Sequence, residues 1–199
     1  TRNSVASVMT IGGAATNYLR NPGFENNEGN SIYASQWSRY GAATISTADY
    51  YENDNTYVSM YMPYTDPSNN RTYKYSLLQQ DFYVEEGTYT FSVAINRYLL
   101  KDNAEVQLVI YDNNSTEIAV STPLRAYDSS YTLSTLWERL SVTFDVGEDC
   151  YSYGWNASIE LRYISPSDTT GSSFIYVDSA MLEKGRGSST YSLLGLSLI

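Results

Sequence analysis

Residues 87–96 decide the fold class, and they read Gly-Thr-Tyr-Thr-Phe-Ser-Val-Ala-Ile-Asn. Large apolar side chains stand at every second position, from Tyr89 through Phe91 and Val93 to Ile95. Successive side chains of a β-strand point to opposite faces, whereas an α-helix repeats every 3.6 residues. The segment therefore predicts a strand with one apolar face and one polar face.

The same alternation returns along the chain in both directions. It is carried by Val58, Met60 and Met62; by Val106, Leu108 and Ile110; by Leu140, Val142, Phe144 and Val146; and by Trp155, Ala157, Ile159, Leu161 and Tyr163. Residues 73–84 and 174–182 are apolar at both parities, which predicts strands covered on both faces. Turn residues separate these runs, so the pattern predicts an all-β protein of about nine short strands. Such a chain is expected to form an antiparallel two-sheet β-sandwich, a jelly roll.

Composition excludes several classes of partner. The chain has 199 residues, enough for one domain, and carries 12 basic against 22 acidic residues for a net charge of −10. That excess of negative charge disfavours binding to nucleic acid or to anionic membranes. The sequence also lacks an apolar run of about 18 residues, so we predict no membrane insertion. The chain starts at Thr1 without a methionine or an apolar signal core. We therefore expect a processed protein or a piece of a longer one.

The available side chains also argue against catalysis. Histidine is absent and Cys150 is the single cysteine, so neither a histidine-dependent triad nor a zinc site of the usual kind can form. Cys150 lies between Asp149 and Tyr151 and is interpreted as inert. The adjacent carboxylates at 85–86 and 148–149 flank predicted turns, where solvation explains them. We predict no enzyme activity. A glycoside hydrolase or lyase, which could use a pair of carboxylates, is the least favoured of the functions considered.

Three segments carry a family resemblance. Residues 17–25, Asn-Tyr-Leu-Arg-Asn-Pro-Gly-Phe-Glu, are followed by Trp37; residues 137–144 read Trp-Glu-Arg-Leu-Ser-Val-Thr-Phe; and residues 176–185 read Tyr-Val-Asp-Ser-Ala-Met-Leu-Glu-Lys-Gly. Their order and spacing resemble those of jelly-roll carbohydrate-binding modules. Such modules occur in bacterial cell-surface repeat proteins, in glycanases, and in phage tail fibre or virion proteins.

The resemblance implies a domain organisation and a function. Residues 17–185 would form the module, residues 1–16 an N-terminal extension, and residues 186–199 a linker and tail leading to a neighbouring module or subunit. The expected function is non-catalytic binding of a polysaccharide or glycan in an extracellular or virion surface protein. The alternative is a structural or assembly module, such as a fibre segment, spacer or capsid-associated domain, that packs against protein partners. The apolar tail at 193–199 motivates that alternative.

The resemblance also implies a structural calcium where the opening and closing segments meet. Carried onto this chain, the carboxylate ligands are Glu25 and Asp178. Calcium binds several hard oxygens, so two carboxylates suit it. The alternative for Asp178 is a hydrogen bond or ion pair with Arg20, Lys184 or a backbone amide.

Glycan binding calls for aromatic rings that stack on sugars and polar groups that bond to hydroxyls. Members of the family bind on a concave sheet face or in loops at one rim. The residues at the outward parity, together with the Asn96–Tyr98 segment, give the candidate ligand set: Tyr57, Tyr61, Tyr73, Tyr75, Asn96, Tyr98, Gln107, Tyr111 and Arg162, with Asn156 beside them. For each tyrosine the alternative is packing across strands. Trp37 and Trp137 match structural positions of the family, and Trp155 falls on the core parity.

Overall fold

The computed structural model describes most of the chain. The described residues are 16–24, 36–40, 42–51, 54–62, 75–127, 137–165 and 172–187. Residues 1–15 of the predicted extension, residues 188–199 of the predicted linker and tail, Glu25 and Tyr73 lie outside them. In the described ranges, no helix is long and apolar enough to cross a membrane.

Every regular element in these ranges is a β-strand. The strands are β1 (Ser38–Tyr40), β2 (Ala42–Tyr51), β3 (Asp54–Met62), β4 (Tyr75–Val84), β5 (Gly87–Asn96), β6 (Ala104–Tyr111), β7 (Glu117–Val120), β8 (Leu124–Arg125), β9 (Glu138–Val146), β10 (Ser152–Tyr163) and β11 (Ser173–Lys184). Three of them are short, with 3 residues in β1, 4 in β7 and 2 in β8. These short strands raise the number above the predicted nine.

The strands form two antiparallel sheets, as predicted. Sheet A has the order β1-β4-β10-β6-β7, with β8 also pairing with β6. Sheet B has the order β2-β3-β11-β5-β9. β10 and β11 are the central strands, so each sheet is built around a strand from the C-terminal third of the chain.

The core lies between the sheets, and alternation along the strands builds it. β9 shows the pattern clearly, because Val142, Phe144 and Val146 are buried between exposed neighbours. The Phe144 ring stacks against Tyr89 of β5 at a centroid distance of 5.5 Å and lies 6.1 Å from Trp155 of β10. Burial of each large side chain contributes about 1.5–3 kcal/mol. The predicted core role of Trp155 is confirmed.

The opening segment completes sheet B beside β11. β3 pairs with β11 only as far as Val177, and beyond that point residues 17–22 take over its place. Tyr18 N–H donates to Leu182 O at 2.8 Å, and Ala180 N–H donates to Pro22 O at 2.9 Å. The Asn17 amide donates to Ala180 O at 2.9 Å and accepts Leu182 N–H at 3.0 Å. The opening and closing motifs therefore meet in space.

Trp37 has the structural role that the motif implied. Its ring is buried against Phe24 at a centroid distance of 5.1 Å, and its indole N–H donates to Asn21 O at 3.0 Å. Leu19 and Phe24 enter the same core. The motif thus anchors the segment through its two large apolar residues and the tryptophan.

Two expectations about strand burial are wrong. β4 was expected to be covered on both faces, but Leu77 and Gln79 are half-buried, while Asp81 and Tyr83 are exposed. Conversely, Ser92 in the polar row of β5 is fully buried. Alternation fixes the direction in which a side chain points, whereas burial depends on what lies beyond the sheet.

Candidate functional site

A cleft opens on the outer face of sheet A and has a volume of about 510 Å³. Its walls come from β4, β6, β10 and the β6–β7 turn. The lining residues are Leu77, Gln79, Tyr111, Ser115, Asn156, Glu160, Arg162 and Tyr163. Tyr40 of β1 pairs with Leu77 and is 50% exposed, so it flanks the cleft on the β1 side.

Strand register brings these side chains together. Asn156 on β10 is paired with Tyr111 on one side and Asp81 on the other. Two residues further along β10, Ser158 faces Gln79, and the next outward residue, Glu160, faces Leu77. Outward side chains of neighbouring strands stand about 5 Å apart. The alternating polar residues of β10 therefore form the floor of the cleft.

Glu160 is the carboxylate in this floor, and it is held in place. The residue is 7% exposed. One of its oxygens, Oε1, accepts the Tyr111 hydroxyl at 2.8 Å and the Ser158 hydroxyl at 3.3 Å. Burial raises the pKa of Tyr111 well above its ordinary value, and the hydrogen bond to Glu160 raises it further. Tyr111 therefore acts as a hydrogen-bond donor to Glu160 at neutral pH.

Ion pairs close one end of the cleft. Glu105 on β6 binds Arg162 at 3.2 Å and Arg125 of β8 at 3.1 Å. The side chain of Glu105 is only 9% exposed, so the two guanidinium groups compensate a largely buried charge. Arg162 keeps a side-chain exposure of 36% and still faces the cleft. It can donate to a ligand hydroxyl while it remains paired.

The β6–β7 turn places Ser115 at the rim. Asp112 organises this turn, because its carboxylate accepts the backbone N–H groups of Asn114 and Thr116, each at 2.8 Å. These bonds hold the pKa of Asp112 below its ordinary value. Ser115 itself adopts a φ of 64°. Asp112 therefore stabilises the tight turn that carries Ser115.

The predicted ligand residues divide between opposite faces of the sandwich. Gln107, Tyr111, Asn156 and Arg162 point outward from sheet A. Tyr75 begins β4 and pairs with Arg162, although its side chain lies outside the described part. Of this group, the cleft is lined by Tyr111, Asn156 and Arg162, while Gln107 is 5% exposed and donates to Ser121 O at 3.2 Å.

Tyr57, Tyr61 and Asn96 lie on the outer face of sheet B. Tyr57 contacts Tyr176 at a centroid distance of 4.9 Å, and Tyr61 stacks on Phe174 at 4.5 Å. Asn96 is buried, and its amide oxygen accepts the Tyr98 N–H at 3.0 Å. Tyr98 follows the end of β5 and is exposed. A single ligand therefore cannot touch the whole predicted set.

Several cleft residues were missed in the ligand set. They are Leu77, Gln79, Ser115, Glu160 and Tyr163. Glu160 has the outward parity of Asn156 and Arg162, so parity together with its carboxylate was a usable signal. Gln79 and Leu77 belong to the strand that was wrongly expected to be covered on both faces. The place of Ser115 depends on the Asp112 turn, which the alternation pattern does not reveal.

Asp178 is the one of the two predicted calcium ligands that lies within the described residues. The Asp178 side chain is buried at the bulge of β11, and one carboxylate oxygen accepts the Ser179 N–H at 2.6 Å. Arg139 donates to the neighbouring Ser179 O at 2.8 Å. Arg20 and Lys184 pair with other acids, namely Asp81 and Glu85. In the described ranges, no three acidic, histidine or cysteine residues cluster as metal ligands.

Comparisons with known proteins identify the fold of the chain. No protein-family model matches the chain, and no curated protein matches it. Solved structures do match. The carbohydrate-binding module TmCBM61, solved with β-1,4-galactotriose, is 16% identical, with a TM-score of 0.56 over 86% of this chain and 100% of that one. The chain therefore has the two-sheet β-sandwich fold of the jelly-roll carbohydrate-binding modules.

The same fold serves other proteins. A cyclase from Fischerella sp., solved with an indolyl butanone, is 13% identical, with a TM-score of 0.58 over 88% of this chain and 100% of the cyclase. The enzymatically active domain of tailspike protein 4 of bacteriophage CBA120 is 8% identical, with a TM-score of 0.50 over 85% of this chain and 21% of that one. Identities this low establish the fold alone, so function has to be inferred from the site.

Proposed function

We propose that the protein is a non-catalytic carbohydrate-binding module that holds a glycan in the sheet A cleft. The observation that carries this proposal is the open cleft itself, in which Gln79, Asn156, Glu160 and Arg162 stand beside tyrosine rings. Ligand sites commonly combine such a surface with a few well-placed polar groups. Hydroxyl groups of a sugar both donate and accept hydrogen bonds, so amides, a carboxylate and a guanidinium suit them.

Binding fits the cleft better than hydrolysis. Glycoside hydrolysis commonly uses two carboxyl groups on either side of the scissile bond. Glu160 is the one carboxylate among the described residues that line the cleft. Glu105 lies nearby on the same face, but two arginines bind it. This arrangement supports recognition without bond cleavage.

The context of the module is part of the proposal. We place the module at residues 17–185, with the flanking segments leading to neighbouring modules or subunits of an extracellular or virion surface protein. TmCBM61 was solved with β-1,4-galactotriose. A neutral β-1,4-galactan is therefore the first polymer to try.

Affinity electrophoresis tests the proposed function. Native gels would contain plant, host or bacterial-wall polysaccharides, one polymer in each gel. We expect retardation by at least one neutral polymer, and weaker retardation of the cleft variant Gln79→Ala. Ser141→Ala, an exposed change on sheet B, is the matched control and should migrate as the wild type. Unretarded migration in every gel would contradict the proposal.

A calcium ion at Asp178 and Glu25 is a second part of the proposal. The meeting of the opening and closing segments and the buried Asp178 carboxylate support it. A structural ion that binds only the folded chain raises the melting temperature. We expect calcium to raise the Tm of the wild type and a chelator to lower it, with neither effect in Asp178→Asn. An unchanged Tm on calcium addition would contradict a structural calcium site.

The second candidate function is an assembly module, and the aromatic surface of sheet B favours it. Five half-buried aromatic residues form ring contacts on this surface: Tyr57, Tyr61, Trp137, Phe174 and Tyr176. Aromatic residues are enriched in protein interfaces. If this surface binds a second copy of the chain, sedimentation velocity should show association that weakens in Tyr61→Ser. A monomer at every concentration would count against self-association.

A further inference from the structure

Two exposed tyrosines meet beyond the end of the sheet A cleft. The rings of Tyr83 and Tyr153 have centroids 4.6 Å apart at an interplanar angle of 46°. Tyr83 is 39% exposed and Tyr153 is 80% exposed. Tyr151, at 66% exposure, is close enough to interact electrostatically with Tyr83. Contiguous exposed apolar surface of this kind marks interaction sites on soluble proteins.

A β-bulge brings Tyr153 to this position. β10 shifts register against β4 between Ser152 and Trp155, and Gly154 in the bulge has a φ of 85°. Glycine adopts this conformation without steric cost. Regular alternation would give Tyr153 the core-facing parity of Trp155. The bulge breaks that alternation and leaves the Tyr153 ring exposed beside Tyr83.

The tyrosine pair lies in line with the cleft. Tyr83 has the same outward parity on β4 as Leu77 and Gln79, both of which line the cleft. From Leu77 to Tyr83 the strand advances by about 20 Å. Tyr40 stands opposite Leu77 at the other end of this path. Aromatic groups thus occur at both ends of the outward row of β4, with hydrogen-bonding groups between them.

Charge around the pair selects against acidic ligands. Glu148 and Asp149 are exposed in the turn that leads to Tyr151, and Glu86 is exposed in the turn after β4. Glu85 also raises the pKa of Tyr83 through its negative charge, after the larger effect of burial. Two basic residues on this part of the fold are paired with acids: Lys184 with Glu85, and Arg20 with Asp81, which lies two residues before Tyr83 on β4. A uronate or sulfated sugar would meet uncompensated negative charge here.

We infer that Tyr83 and Tyr153 form a second sugar-binding subsite, and that the ligand is an extended, neutral polysaccharide spanning this subsite and the cleft. The inference rests on the proposed function and deepens it, because it assigns a length and a charge class to the glycan. The two tyrosines would stack on a sugar ring several units away from the ring held at Glu160. Binding should then strengthen with chain length until both subsites are filled.

Isothermal titration calorimetry with defined oligosaccharides tests the inference. The probes are neutral β-1,4-linked galactose, glucose and xylose series from disaccharide to hexasaccharide, with oligogalacturonates as the acidic series. The variant is Tyr83→Ala/Tyr153→Ala, and the control is Leu99→Ala, which removes an apolar side chain of 37% exposure from the turn after β5. We expect the double variant to bind the hexasaccharide about tenfold more weakly. Trisaccharide binding should be unchanged, as should both affinities of the control.

The outcomes separate this inference from the proposed function. If the wild type binds trisaccharide and hexasaccharide equally, or the double variant binds the hexasaccharide as the wild type does, the second subsite is wrong and the cleft stands. Tighter binding of the oligogalacturonates would overturn the neutral class. If the wild type binds no oligosaccharide, the proposed function fails together with the inference. Both mutated rings are exposed, and an unchanged Tm would show that the variant folds.

Discussion

The outer faces of the two sheets differ, although both sheets are built from the same alternating strands. The outer face of sheet A is an open cleft with polar groups on β10 and exposed tyrosines at its ends. On sheet B, the outward side chains of Ser92, Ala94 and Met181 are 0% exposed. One face can therefore receive a ligand, while the other is closed over part of its width. Strand alternation alone therefore does not locate a binding face.

Polar side chains also have different surroundings on the two faces. Glu160 on sheet A is held by hydroxyl groups at the floor of a cleft that opens to solvent. On sheet B, the chain after β11 folds back over the face, because Thr90 Oγ1 donates to Gly185 O at 2.7 Å and accepts Gly187 N–H at 3.1 Å. Arg139 likewise donates to Ser92 Oγ at 3.1 Å. Polar groups on sheet B thus bind the chain itself.

The largest effect is expected where the opening segment closes sheet B. Asn17→Ala removes three hydrogen bonds, to Ala180 O, Leu182 N–H and Leu19 N–H, and leaves buried groups unpaired. We expect a loss of about 3 kcal/mol in the free energy of unfolding. Urea denaturation measures it. Asn113→Ala, which removes two exposed hydrogen bonds, to Ser152 and Asn114 beside sheet A, should cost less than about 1 kcal/mol. Equal losses would contradict the role of Asn17.

Truncation of one apolar side chain on each outer face should have a larger effect on sheet B than on sheet A. Met181→Ala removes a fully buried side chain from sheet B and should cost about 3 kcal/mol. Leu77→Ala removes a half-buried side chain from the cleft and should cost about 1 kcal/mol, because solvent already reaches it. Urea unfolding of both variants provides the measurement. Similar losses would show that the two faces are equally closed.

Two buried glutamates provide a matched pair for binding. Glu160→Gln in the cleft should weaken glycan binding by about tenfold, because the charge-assisted hydrogen bond to a sugar hydroxyl is lost. Glu183→Gln on the outer face of sheet B should leave the affinity unchanged, although Glu183 is also buried. Calorimetric titration of both variants with the same oligosaccharide checks this. Weaker binding by Glu183→Gln alone would move the site to sheet B.

The smallest effect is a pH dependence at the rim of the cleft. The Asp112 pKa is lowered in the folded chain, first by the Thr116 N–H bond. Its contribution to stability is therefore present above the unfolded pKa of about 3.9 and is lost as the pH falls through the lower folded value. Tm measured from pH 6 to pH 2 should fall with acid slightly less in Asp112→Asn than in the wild type. Parallel curves would show that the turn does not depend on this charge.

The fold was predictable from sequence because alternation is a local property. The alternating residues of β5, β9 and β10 face the core as predicted, and the opening motif meets β11 as its resemblance implied. The predicted number of strands was too low. β1, β7 and β8 are too short for an alternation of apolar and polar residues to be visible in the sequence. They are defined by pairing with β4 and β6, which are distant in the chain.

The site was only partly predictable, because it depends on which sheet a strand joins. Tyr57 and Tyr111 share an outward parity in the sequence, yet they lie on opposite sheets. Tyr153 has core parity, and only the bulge at Gly154 turns it outward. Asn96 and Gln107 have the chemistry of ligand contacts, but each is buried and bonded within the protein. Sheet membership and bulges are long-range properties that a period-two pattern does not contain.

An NMR titration can show which outer face binds the glycan, because it reports on both faces in one experiment. Nitrogen–proton correlation spectra would be recorded while the best neutral oligosaccharide is added to the wild-type chain. We predict that the largest shifts fall on outward residues of β4, β6 and β10, with the backbone amide signals of Tyr83 and Tyr153 among them. Shifts confined to β3, β11 and β5 of sheet B would contradict it.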